Sequence, residues 1–414
     1  MSEIKPKDFS WESIIQTVRN DSITMNSEID TPISNSITTI FSRAIIGKKQ
    51  GTIVSTNTSS LKNSILQAYK LAKLSSKKEL MPNITSTAKF SKKLLNYKSF
   101  NEKKLIESTE QIKKLIDKKA PILEFLANKR KSKTVYLNSL GAKITLENDS
   151  LIFQLLVGKD QRVGTNVSLL SDKKPNLKEF AQEALFKYEA SKNLSKPNSG
   201  TYPVIFCHEA LLNVTSPLLF SLKGDSVCEK QSRFINSINK QELSKDLTII
   251  DDSYEKNNKS FFDFEANKSG KTVLVKDGVI KSFIHDSYTS QKLGMANTNN
   301  SASMIIKPST SYNCITLKGK DKLSQMIKSV KEGFILYDTY PDHTINKTTG
   351  AFGQNSSTFY YIKNGEIQGL AKGYVVMGNS YELFKKPLEI SKETRNDLGA
   401  NIGAIKTTAK ILKN

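Results

Sequence analysis

The spacing of apolar positions in the first 60 residues predicts one helix and one hairpin. A modest helical stretch runs from Trp11 to Val18. Two later segments, Ser36–Ala44 and Gly51–Ser55, are rich in β-branched residues, which favour strands. They flank Gly47-Lys48-Lys49-Gln50, which indicates a loose turn between two strands. We therefore expect a strand–turn–strand unit after the helix.

Three amphipathic helices follow, and each begins at a residue that can cap its first turn. The first starts at Ser59 or Ser60 and ends near residue 74. The second starts at Asn101 and ends before Pro121, which lacks the amide hydrogen that a helix interior needs. The third starts at Asn176 and continues to about residue 190.

Between the second and third helices, apolar and polar positions alternate, which is typical of half-buried strands. The alternating segments are separated by turn residues at Gly141, Asn148-Asp149 and Gly158–Asp160. The predicted strands comprise residues 134–139, 142–148, 150–157 and 164–170. We therefore expect a β-meander and an N-terminal domain of mixed α and β structure.

Residues 191–200 mark a predicted domain boundary, because they combine Ser, Asn, Pro and Gly without an apolar period. We predict an N-terminal domain of residues 1–195 and a C-terminal domain of residues 196–414. The second domain is predicted to be rich in strands. Asp277-Gly278 and Asn364-Gly365 each lie between two strand-like segments and favour two-residue type I′ hairpins.

Charge adds one unusual property, a formal net charge of +22. Residues 1–200 hold 34 Lys and Arg against 19 Asp and Glu, so the first half carries +15 of this excess. Such a surface attracts polyanions and acidic partners. The lysines are scattered among few aromatic residues, which favours a solvated lysine surface over a nucleic-acid site.

The remaining composition indicates a protein of the cytoplasm. Three widely spaced cysteines, Cys207, Cys228 and Cys314, argue against a disulfide framework. No apolar run approaches the roughly 18 to 20 residues that cross a bilayer, and the N-terminus lacks the apolar segment of a signal peptide. We therefore expect a cytoplasmic location without a membrane partner.

The order of motifs from Thr201 onward resembles the TldD/PmbA family, which includes TldE. Leu247–Asp252 matches the family's apolar-T-apolar-apolar-D-D strand, and Val275–Lys281 matches its apolar-K-D-G-apolar-L-K hairpin. Further similar segments are Tyr202–Phe206, Leu222–Asp225, Ser232–Phe234, Phe262–Glu265, Pro308 with Ser311–Asn313, Thr349–Gly353 and Ile362–Ile367. The matches cover about 180 residues in the family's order, which is more specific than any single motif. In the first half, Phe41–Gly51 also resembles a family segment.

The resemblance implies an α+β fold, in which an N-terminal mixed α/β domain precedes a β-rich, barrel-like C-terminal domain. Two positions depart from the family pattern. Ala266 stands where the family has Gly in its acidic segment, and Ala351 stands in place of the Asp of its T-G-D-F-S segment. These departures put in doubt any activity carried by the two positions, while the hydrophobic frame around them is kept.

The resemblance also identifies where zinc ligands are missing. TldD-type subunits of the family carry an H-E-x-x-x-H helix and a later cysteine, in line with the three protein ligands and one open position of catalytic zinc sites. The nearest match here is His208-Glu209, but Leu212 and Asn213 occupy the alternative positions of the second histidine. When the chain is registered on Leu222–Asp225 instead, the zinc helix falls at residues 215–220, which hold no ligand. We therefore predict no catalytic, cofactor-binding or metal-binding residue in this chain, and zinc in a partner subunit.

Other candidate residues are predicted to have structural roles. His285 follows a strand and His343 lies in a polar loop, so both are predicted to be core or solvated histidines. Gly270-Lys271-Thr272 lacks the first glycine and the following helix of a phosphate loop. Four carboxylates near strand ends are predicted to cap turns, with acid–base pairing as the alternative. These are Asp251, Asp252, Asp263 and Glu265.

We expect this chain to be a non-catalytic TldE/PmbA-type subunit that pairs with a TldD-type zinc metallopeptidase. It is expected to help enclose peptides or unfolded proteins, which the partner cleaves. Exposed strand edges can hold an extended peptide through main-chain hydrogen bonds. Two alternatives stay open: a self-sufficient metallopeptidase with an unrecognised ligand set, and a basic, gyrase-modulator-like protein that associates with nucleic acid. Self-association is a further open point.

Overall fold

The computed structural model describes residues 9–26, 28–56, 60–76, 84–158, 163–169, 176–255, 260–303, 309–339, 344–397 and 399–413. The described strands form two large sheets and one small two-stranded sheet. All strands of the first large sheet precede residue 170, and all strands of the second follow residue 199. The α+β class is confirmed, while the domain boundary at residue 195 stays a prediction.

The N-terminal sheet contains seven described strands. They are β1 (Ser10–Met25), β2 (Ile33–Ile46), β3 (Lys49–Thr56), β4 (Lys89–Leu94), β5 (Ile122–Asn138), β6 (Lys143–Val157) and β7 (Val163–Leu169). Their order is β3–β2–β1–β5–β6–β4, with β7 also paired to β6. The edge strand β4 runs parallel to β6, and the other pairs are antiparallel.

The predicted helix at Trp11–Val18 is wrong, because these residues lie in β1. β1 is a central strand that pairs with β2 on one side and with β5 on the other. The buried residues Ile14 and Val18 are four positions apart, a spacing that suits both a helix face and a strand face. Hydrogen bonding on both edges of the strand decides between the two, and a local pattern does not contain that information.

The predicted hairpin of β2 and β3 is confirmed, with Gly47 at a φ of +56° in its turn. The predicted meander is only partly right, because residues 143–157 form the single long strand β6 and no turn interrupts it at Asn148-Asp149. The buried Asp149 carboxylate instead accepts hydrogen bonds from the backbone N–H groups of Asn96 and Tyr97, at 2.7 and 3.1 Å. A polar residue that indicates a turn in the sequence therefore anchors a neighbouring loop.

Three helices cover one face of this sheet: α1 (Leu61–Leu74), α2 (Glu102–Ile116) and α3 (Leu177–Lys192). All three begin at predicted caps, whose side chains accept a hydrogen bond from the backbone N–H three residues later. These caps are Ser60, Asn101 and Asn176. The apolar stripes of α2 and α3 share a core with β5 and β6, centred on Phe125 and Phe153.

Two residues of the Phe41–Gly51 segment have clear structural roles. The buried Arg43 donates Nε to Glu12 Oε1 at 2.6 Å, and the hydroxyl of Tyr136 donates to the other carboxylate oxygen at 2.7 Å. Gly51 lies under α1, where a Cβ would come within 2.2 Å of the Ala68 carbonyl oxygen. A buried ion pair and a close helix approach therefore explain the Arg and the second Gly of this segment.

The C-terminal sheet is longer and branched. Its strands are β8 (Gly200–Phe206), β9 (Ile249–Asp252), β10 (Lys271–Lys276), β11 (Val279–Ile280), β14 (Ile315–Leu317), β15 (Glu332–Leu336), β16 (Ala351–Gln354), β17 (Phe359–Lys363), β18 (Glu366–Leu370), β19 (Tyr374–Asn379), β20 (Glu389–Asp397) and β21 (Ala400–Lys413). Two further strands, β12 (Ser301–Ser303) and β13 (Ser309–Thr310), form the small sheet. The main path is β11–β10–β9–β14–β21–β8–β15–β17–β18, with β16, β19 and β20 branching at β21. Among the described strands this sheet does not close into a barrel, so the predicted term barrel-like describes it only loosely.

The second half contains α4 (His208–Ser221), α5 (Gly224–Cys228), α6 (Ser287–Leu293), α7 (Leu323–Lys328) and α8 (Ser380–Leu383). Both predicted type I′ hairpins are confirmed, since Asp277, Gly278, Asn364 and Gly365 have φ values of 49°, 77°, 52° and 77°. The Gly270-Lys271-Thr272 segment leads into β10, as predicted. Within the described part of the chain, no helix is both long and apolar enough to cross a membrane.

Contacts on both faces of the N-terminal sheet join the halves of the chain. α3 lies against the C-terminal sheet, where the hydroxyl of Tyr360 donates to the Lys187 carbonyl oxygen at 2.8 Å. On the other face of the N-terminal sheet, Phe262 and Phe264 pack against a cluster that contains Ile14 and Tyr136. The first contact brings charged residues of α3 to the end of β8, where the sequence places its His-Glu motif.

Candidate functional site

The end of β8 delivers the His208-Glu209 motif to the start of α4. β8 is a central strand between β15 and β21, and its residues 204–206 are fully buried. Cys207 extends the pairing by donating its backbone N–H to the Leu336 carbonyl oxygen at 2.8 Å. α4 begins at the next residue, so His208 lies at a strand-to-helix junction as predicted. Its φ of +36° is rare for a residue other than glycine and indicates local strain.

Charged side chains from distant segments surround the half-buried His208. Lys187 Nζ lies 2.7 Å from Glu183 Oε1, and Arg395 Nη1 of β20 lies 3.1 Å from the same oxygen. Burial lowers the pKa of His208 to about 4, and the positive charges of Arg395 and Lys187 act in the same direction. Glu183 opposes this shift. The imidazole is therefore neutral at neutral pH.

The neighbouring thiol and phenol are also neutral. Burial raises the pKa of Cys207 to about 12, so its sulfur keeps a proton at neutral pH. Burial likewise raises the pKa of Tyr337 well above its usual range. Lys187 Nζ lies 5.3 Å from the centre of the Tyr337 ring, which is within cation–π distance. The junction thus combines neutral polar groups with two cations that share the Glu183 carboxylate.

These residues do not fit a zinc site. Zinc takes thiolate, neutral imidazole or carboxylate ligands around one point. Here Cys207 is fully buried, and the Glu183 carboxylate is held by Lys187 and Arg395. Across the described residues, no group of three or more His, Cys, Asp or Glu side chains is arranged to hold a metal ion.

Both registers of the zinc motif fall on α4, which begins at His208 and ends at Ser221. In the first register, Asn213 donates its amide to Thr339 Oγ1 at 2.6 Å, and Leu212 packs against the main core. In the second register, residues 215–220 are largely buried and contain Pro217 inside the helix. The side chains at these positions serve packing and local hydrogen bonding.

His285 lies at the end of the segment before α6 and is fully buried. Its Nδ1 is 3.2 Å from Thr289 Oγ1, whose own proton goes to Asp286 Oδ1 at 2.8 Å. Nδ1 must therefore donate to the threonine oxygen. Burial lowers the pKa of His285 to about 4, although the charge of Asp225 raises it. The predicted core role of His285 is confirmed, while His343 lies outside the described residues.

Of the two carboxylates at the end of β9, Asp252 caps a turn as predicted, whereas Asp251 binds a distant loop. Asp251 accepts hydrogen bonds from the backbone N–H groups of Asn313 and Cys314 at 2.8 and 2.9 Å. Asp252 accepts one from the backbone N–H of Tyr254 at 3.0 Å. Burial raises the pKa of Asp251, although these hydrogen bonds oppose the shift. Its oxygens are therefore engaged in holding the loop that precedes β14.

Asp263 and Glu265 form a second buried carboxylate pair. Asp263 accepts hydrogen bonds from the backbone N–H groups of Glu265, Asn267 and Ser301, at 3.0, 2.8 and 3.2 Å, which confirms its turn-capping role. Glu265 Oε2 accepts hydrogen bonds from the backbone N–H and the hydroxyl of Ser287, at 3.1 and 2.5 Å. Burial raises the pKa of Asp263 to about 6, and burial together with the Asp263 charge raises that of Glu265 to about 7. The pair ties this segment to the start of α6.

The residues around His208 could not be found from the sequence. Glu183 and Lys187 read as an ordinary i,i+4 pair on an exposed helix surface, a spacing that is common and weakly informative. Arg395 lies near the end of the chain. Only the docking of α3 onto the C-terminal sheet brings the three residues together.

A comparison with protein-family models identifies the C-terminal half. Residues 199–411 match the model described as the PmbA/TldA metallopeptidase C-terminal domain, which is just over half of the chain. The chain belongs to the PmbA/TldD metallopeptidase family. The resemblance inferred from the sequence motifs is therefore confirmed.

Curated members of the PmbA/TldD family that match this chain carry both subunit names. The chain is 29% identical over 239 residues to a metalloprotease TldD homolog of Buchnera aphidicola, which covers 54% of this chain and 47% of the relative. It is 24% identical over 200 residues to the metalloprotease PmbA of Escherichia coli O157:H7, which covers 47% and 42%. The chain thus spans about half the length of the curated relatives it matches.

Solved structures extend the similarity to both halves of this family member. TldE from Thermococcus kodakarensis aligns with a TM-score of 0.87 at 21% identity, over 97% of this chain and 96% of that one. A DNA gyrase modulator candidate from Thermotoga maritima aligns with a TM-score of 0.84 at 15% identity, over 98% and 96%. The PmbA/TldD fold therefore includes the N-terminal sheet as well as the matched C-terminal domain.

Proposed function

We propose that this family member is a non-catalytic TldE/PmbA-type subunit. It pairs with a TldD-type zinc metallopeptidase and helps enclose and bind peptides or unfolded proteins, which the partner cleaves. The observation that carries the proposal is the start of α4, where His208 is neutral and lies near Lys187 and Arg395. A cytoplasmic location and a division into domains at residue 195 belong to the same proposal.

Electrostatics at the α4 junction support the assignment of zinc to a partner. The side chains of Lys187 and Arg395 are 4% and 18% exposed, so water screens their charges weakly. Glu183 offsets at most one of the two charges. A divalent cation beside His208 would therefore meet two weakly screened positive charges, with one imidazole and the Glu209 carboxylate as the ligand types at the start of α4.

An open groove beside β16 supports the peptide-binding part of the proposal. Its cavity volume is about 720 Å³, and its walls include Phe352, Met377 and Lys410. β16 pairs with β19 along one edge, and the described pairing on its other edge is a bridge between Ile345 and Phe352. Such a strand edge can accept an extended peptide through main-chain hydrogen bonds. Ala351, which replaces the family Asp, is exposed on this strand and leaves it without a carboxylate there.

The names of similar proteins support two subunit assignments to different degrees. The TldE name of the Thermococcus structure and the PmbA name of the Escherichia coli relative are consistent with a non-catalytic subunit. The TldD names among the relatives favour the alternative of a self-sufficient metallopeptidase. The missing ligand set on α4 is the reason to prefer the first.

Co-expression with a TldD-type subunit tests this function. We expect the two chains to co-purify by size-exclusion chromatography, with zinc and peptidase activity in the complex and neither in this chain alone. The decisive variant is His208→Asn, which removes the one imidazole that the described residues place at the junction. It is expected to leave the zinc content and peptidase activity of the complex unchanged. Circular dichroism of the variant controls for misfolding.

Three results would oppose the proposal. Stoichiometric zinc in the isolated chain, with chelator-sensitive peptidase activity that His208→Asn abolishes, would establish the self-sufficient metallopeptidase. Salt-sensitive binding of duplex DNA by the isolated chain, without complex formation, would favour the nucleic-acid alternative. A lack of any complex with a TldD-type subunit would remove the basis for pairing.

A further inference from the structure

Five basic side chains form a strip on one face of the N-terminal sheet. Lys129, Lys131 and Lys133 occupy alternate positions of β5 and therefore project to the same face. The strand register places Arg19 of β1 directly opposite Lys131. On the other side of β5, Glu147 of β6 is opposite Lys133, and Lys93 of β4 is opposite Glu147. We name Arg19, Lys93, Lys129, Lys131 and Lys133 the basic strip.

The basic strip lies between two helices that cover the ends of the same face. α1 packs on Ala44, which is paired with Trp11 on the Arg19 face of β1 and β2. α2 packs on Phe125 and Ala127, which continue the alternate positions of Lys129 along β5. The middle of the face stays open, with the Arg19, Lys93 and Lys133 side chains 57%, 64% and 54% exposed.

The arrangement of the basic strip costs the sheet stability. Arg19 and Lys131 carry like charges at directly opposed positions, which destabilises a strand pair. Lys129 also lies nearby: its burial lowers its pKa, and the charges of Lys131 and Arg19 contribute in the same direction, against Asp149 and Asp21. This concentration of positive charge does not improve the packing of the sheet. Binding of an anionic ligand is therefore the simplest explanation for it.

The carboxylates within the strip do not cancel its charge. Asp149 is buried and is used by two backbone N–H groups of a neighbouring loop. Asp21 pairs with Arg19 at 2.9 Å and also accepts a hydrogen bond from the Ser34 hydroxyl. Glu147 lies 3.5 Å from Lys93 and 3.8 Å from Lys133, so one carboxylate is shared between two lysines. A surplus of positive charge remains on the open face.

We propose that the basic strip binds an acidic segment of a peptide in an extended conformation. Same-face residues of a strand are about 6.6 to 6.8 Å apart, and alternate side chains of an extended peptide have the same spacing. Alternate Asp or Glu residues of the ligand would therefore meet Lys131 and Lys133 in turn, beside Lys129, whose Nζ donates to the Phe100 carbonyl oxygen at 2.8 Å. Phe100 lines the same cavity as Arg19 and Lys129, but its ring packs against Phe153 of the core, whereas sites for single-stranded nucleic acid stack bases on aromatic rings. The inference rests on the proposed peptide-binding function and specifies a class of ligand for it.

Fluorescence anisotropy on the full chain tests the basic strip. The probe is a labelled peptide of alternating glutamate and threonine, compared with a lysine–threonine peptide and a thymidine oligonucleotide of equal length. Wild-type protein is expected to bind the acidic peptide best, with affinity that falls as salt increases. The triple variant Arg19→Gln, Lys131→Gln, Lys133→Gln is expected to lose about tenfold or more in affinity, since each exposed ion pair contributes a modest amount.

A matched variant separates the basic strip from net charge. Lys331→Gln, Lys363→Gln and Lys372→Gln remove three exposed lysines of the C-terminal half and are expected to leave peptide affinity within about twofold of wild type. Equal losses in both triple variants, or unchanged binding in the strip variant, would overturn the proposal. Tighter binding of the oligonucleotide than of the acidic peptide would also overturn it, in favour of nucleic acid. Complex formation with a TldD-type subunit, measured separately, distinguishes failure of the strip from failure of the proposed pairing.

Discussion

The starts of α4 and α6 each contain a histidine whose pKa burial lowers to about 4, yet their surroundings have opposite charge. At α4, His208 lies near Lys187 and Arg395, which come from other parts of the chain. At α6, His285 lies near Asp225 and precedes Asp286, while Glu265 holds Ser287 at the first turn. Burial is thus the main reason why both imidazoles are neutral.

The difference teaches what a histidine needs before it can bind a metal. The His-Glu motif at α4 resembles a zinc motif in composition but lies in a cationic environment. The carboxylates at α6 have the right charge, but one oxygen of each is already used: Asp286 Oδ1 caps the helix by accepting from the Thr289 N–H at 2.8 Å, and Glu265 Oε2 accepts from Ser287. In both places the sign of the neighbouring charge and the free lone pairs decide the chemistry, and residue identity alone does not.

Among the changes that test this comparison, loss of the Glu183 charge is expected to have the largest effect on the free energy of unfolding. Glu183→Gln leaves Lys187 buried without its anionic partner, and we expect the free energy of unfolding to fall by about 2 kcal/mol. The control is Glu189→Gln on the same helix, whose ion pair with Lys192 is exposed and should cost less than about 0.5 kcal/mol. Urea unfolding measures both. Equal small effects would mean that the α4 cluster is not a buried charge network.

The raised pKa of Glu265 predicts that the contribution of this residue to stability at α6 decreases as the pH rises. Its pKa rises from 4.5 to about 7 on folding, so the folded state favours the protonated carboxyl. This contribution to stability is complete below pH 4.5 and is lost as the pH rises to 7. Glu265→Gln removes the titrating carboxyl and with it this loss of stability. The variant should therefore gain on the order of 1 to 2 kcal/mol in free energy of unfolding relative to wild type between pH 5 and pH 8.

The control for this pH effect is Glu366→Gln, which changes the same formal charge at an exposed hairpin. The lowered pKa values of His208 and His285 act with the other sign, because their stabilising effect is present above pH 6.5 and lost as the pH falls toward 4. The effect of Glu265 is therefore measured as the difference in free energy of unfolding between Glu265→Gln and wild type, determined by urea unfolding at each pH. A difference that does not change with pH would refute the raised pKa of Glu265.

Relief of backbone strain beside Glu265 is expected to have the smallest effect. Ala266 has a φ of +60° at the position where the resemblance places a family glycine. Ala266→Gly removes the clash of Cβ in this conformation, and we expect a gain of about 0.5 to 1 kcal/mol in stability. Ala184→Gly within α3 serves as the control and should lose about 1 kcal/mol. A loss in both variants would show that the packing of the Ala266 methyl group outweighs the strain.

Short-range chemistry made much of this fold predictable. The caps at Ser60, Asn101 and Asn176 and the turns at Asp277 and Asn364 depend on a few neighbouring residues, and all were recognised in advance. The prediction failed where two periods coincide, at residues 11–18, and where a turn residue binds a distant loop, at Asp149. In both cases the deciding partner is far away in the chain.

The candidate site divides in the same way. The lack of a second histidine at the spacing of the zinc motif on α4 was evident from the sequence, because a ligand set requires particular side chains at fixed spacing. The cationic surroundings of His208 were not, since Glu183 and Arg395 meet only after α3 docks on the C-terminal sheet. The same holds for the basic strip, whose members come from β1, β4 and β5.

The sequence by itself determined the family, the local elements and the absence of a zinc motif on α4, because each depends on residue types at short and regular spacing. The tertiary structure alone decided which charges face His208, which carboxylates have free oxygens and which lysines share a face. These properties depend on strand register and helix docking, which bring together residues from separate segments of the chain. The strength of a Coulomb interaction depends on the distance between the charges in space, which their separation along the chain does not predict.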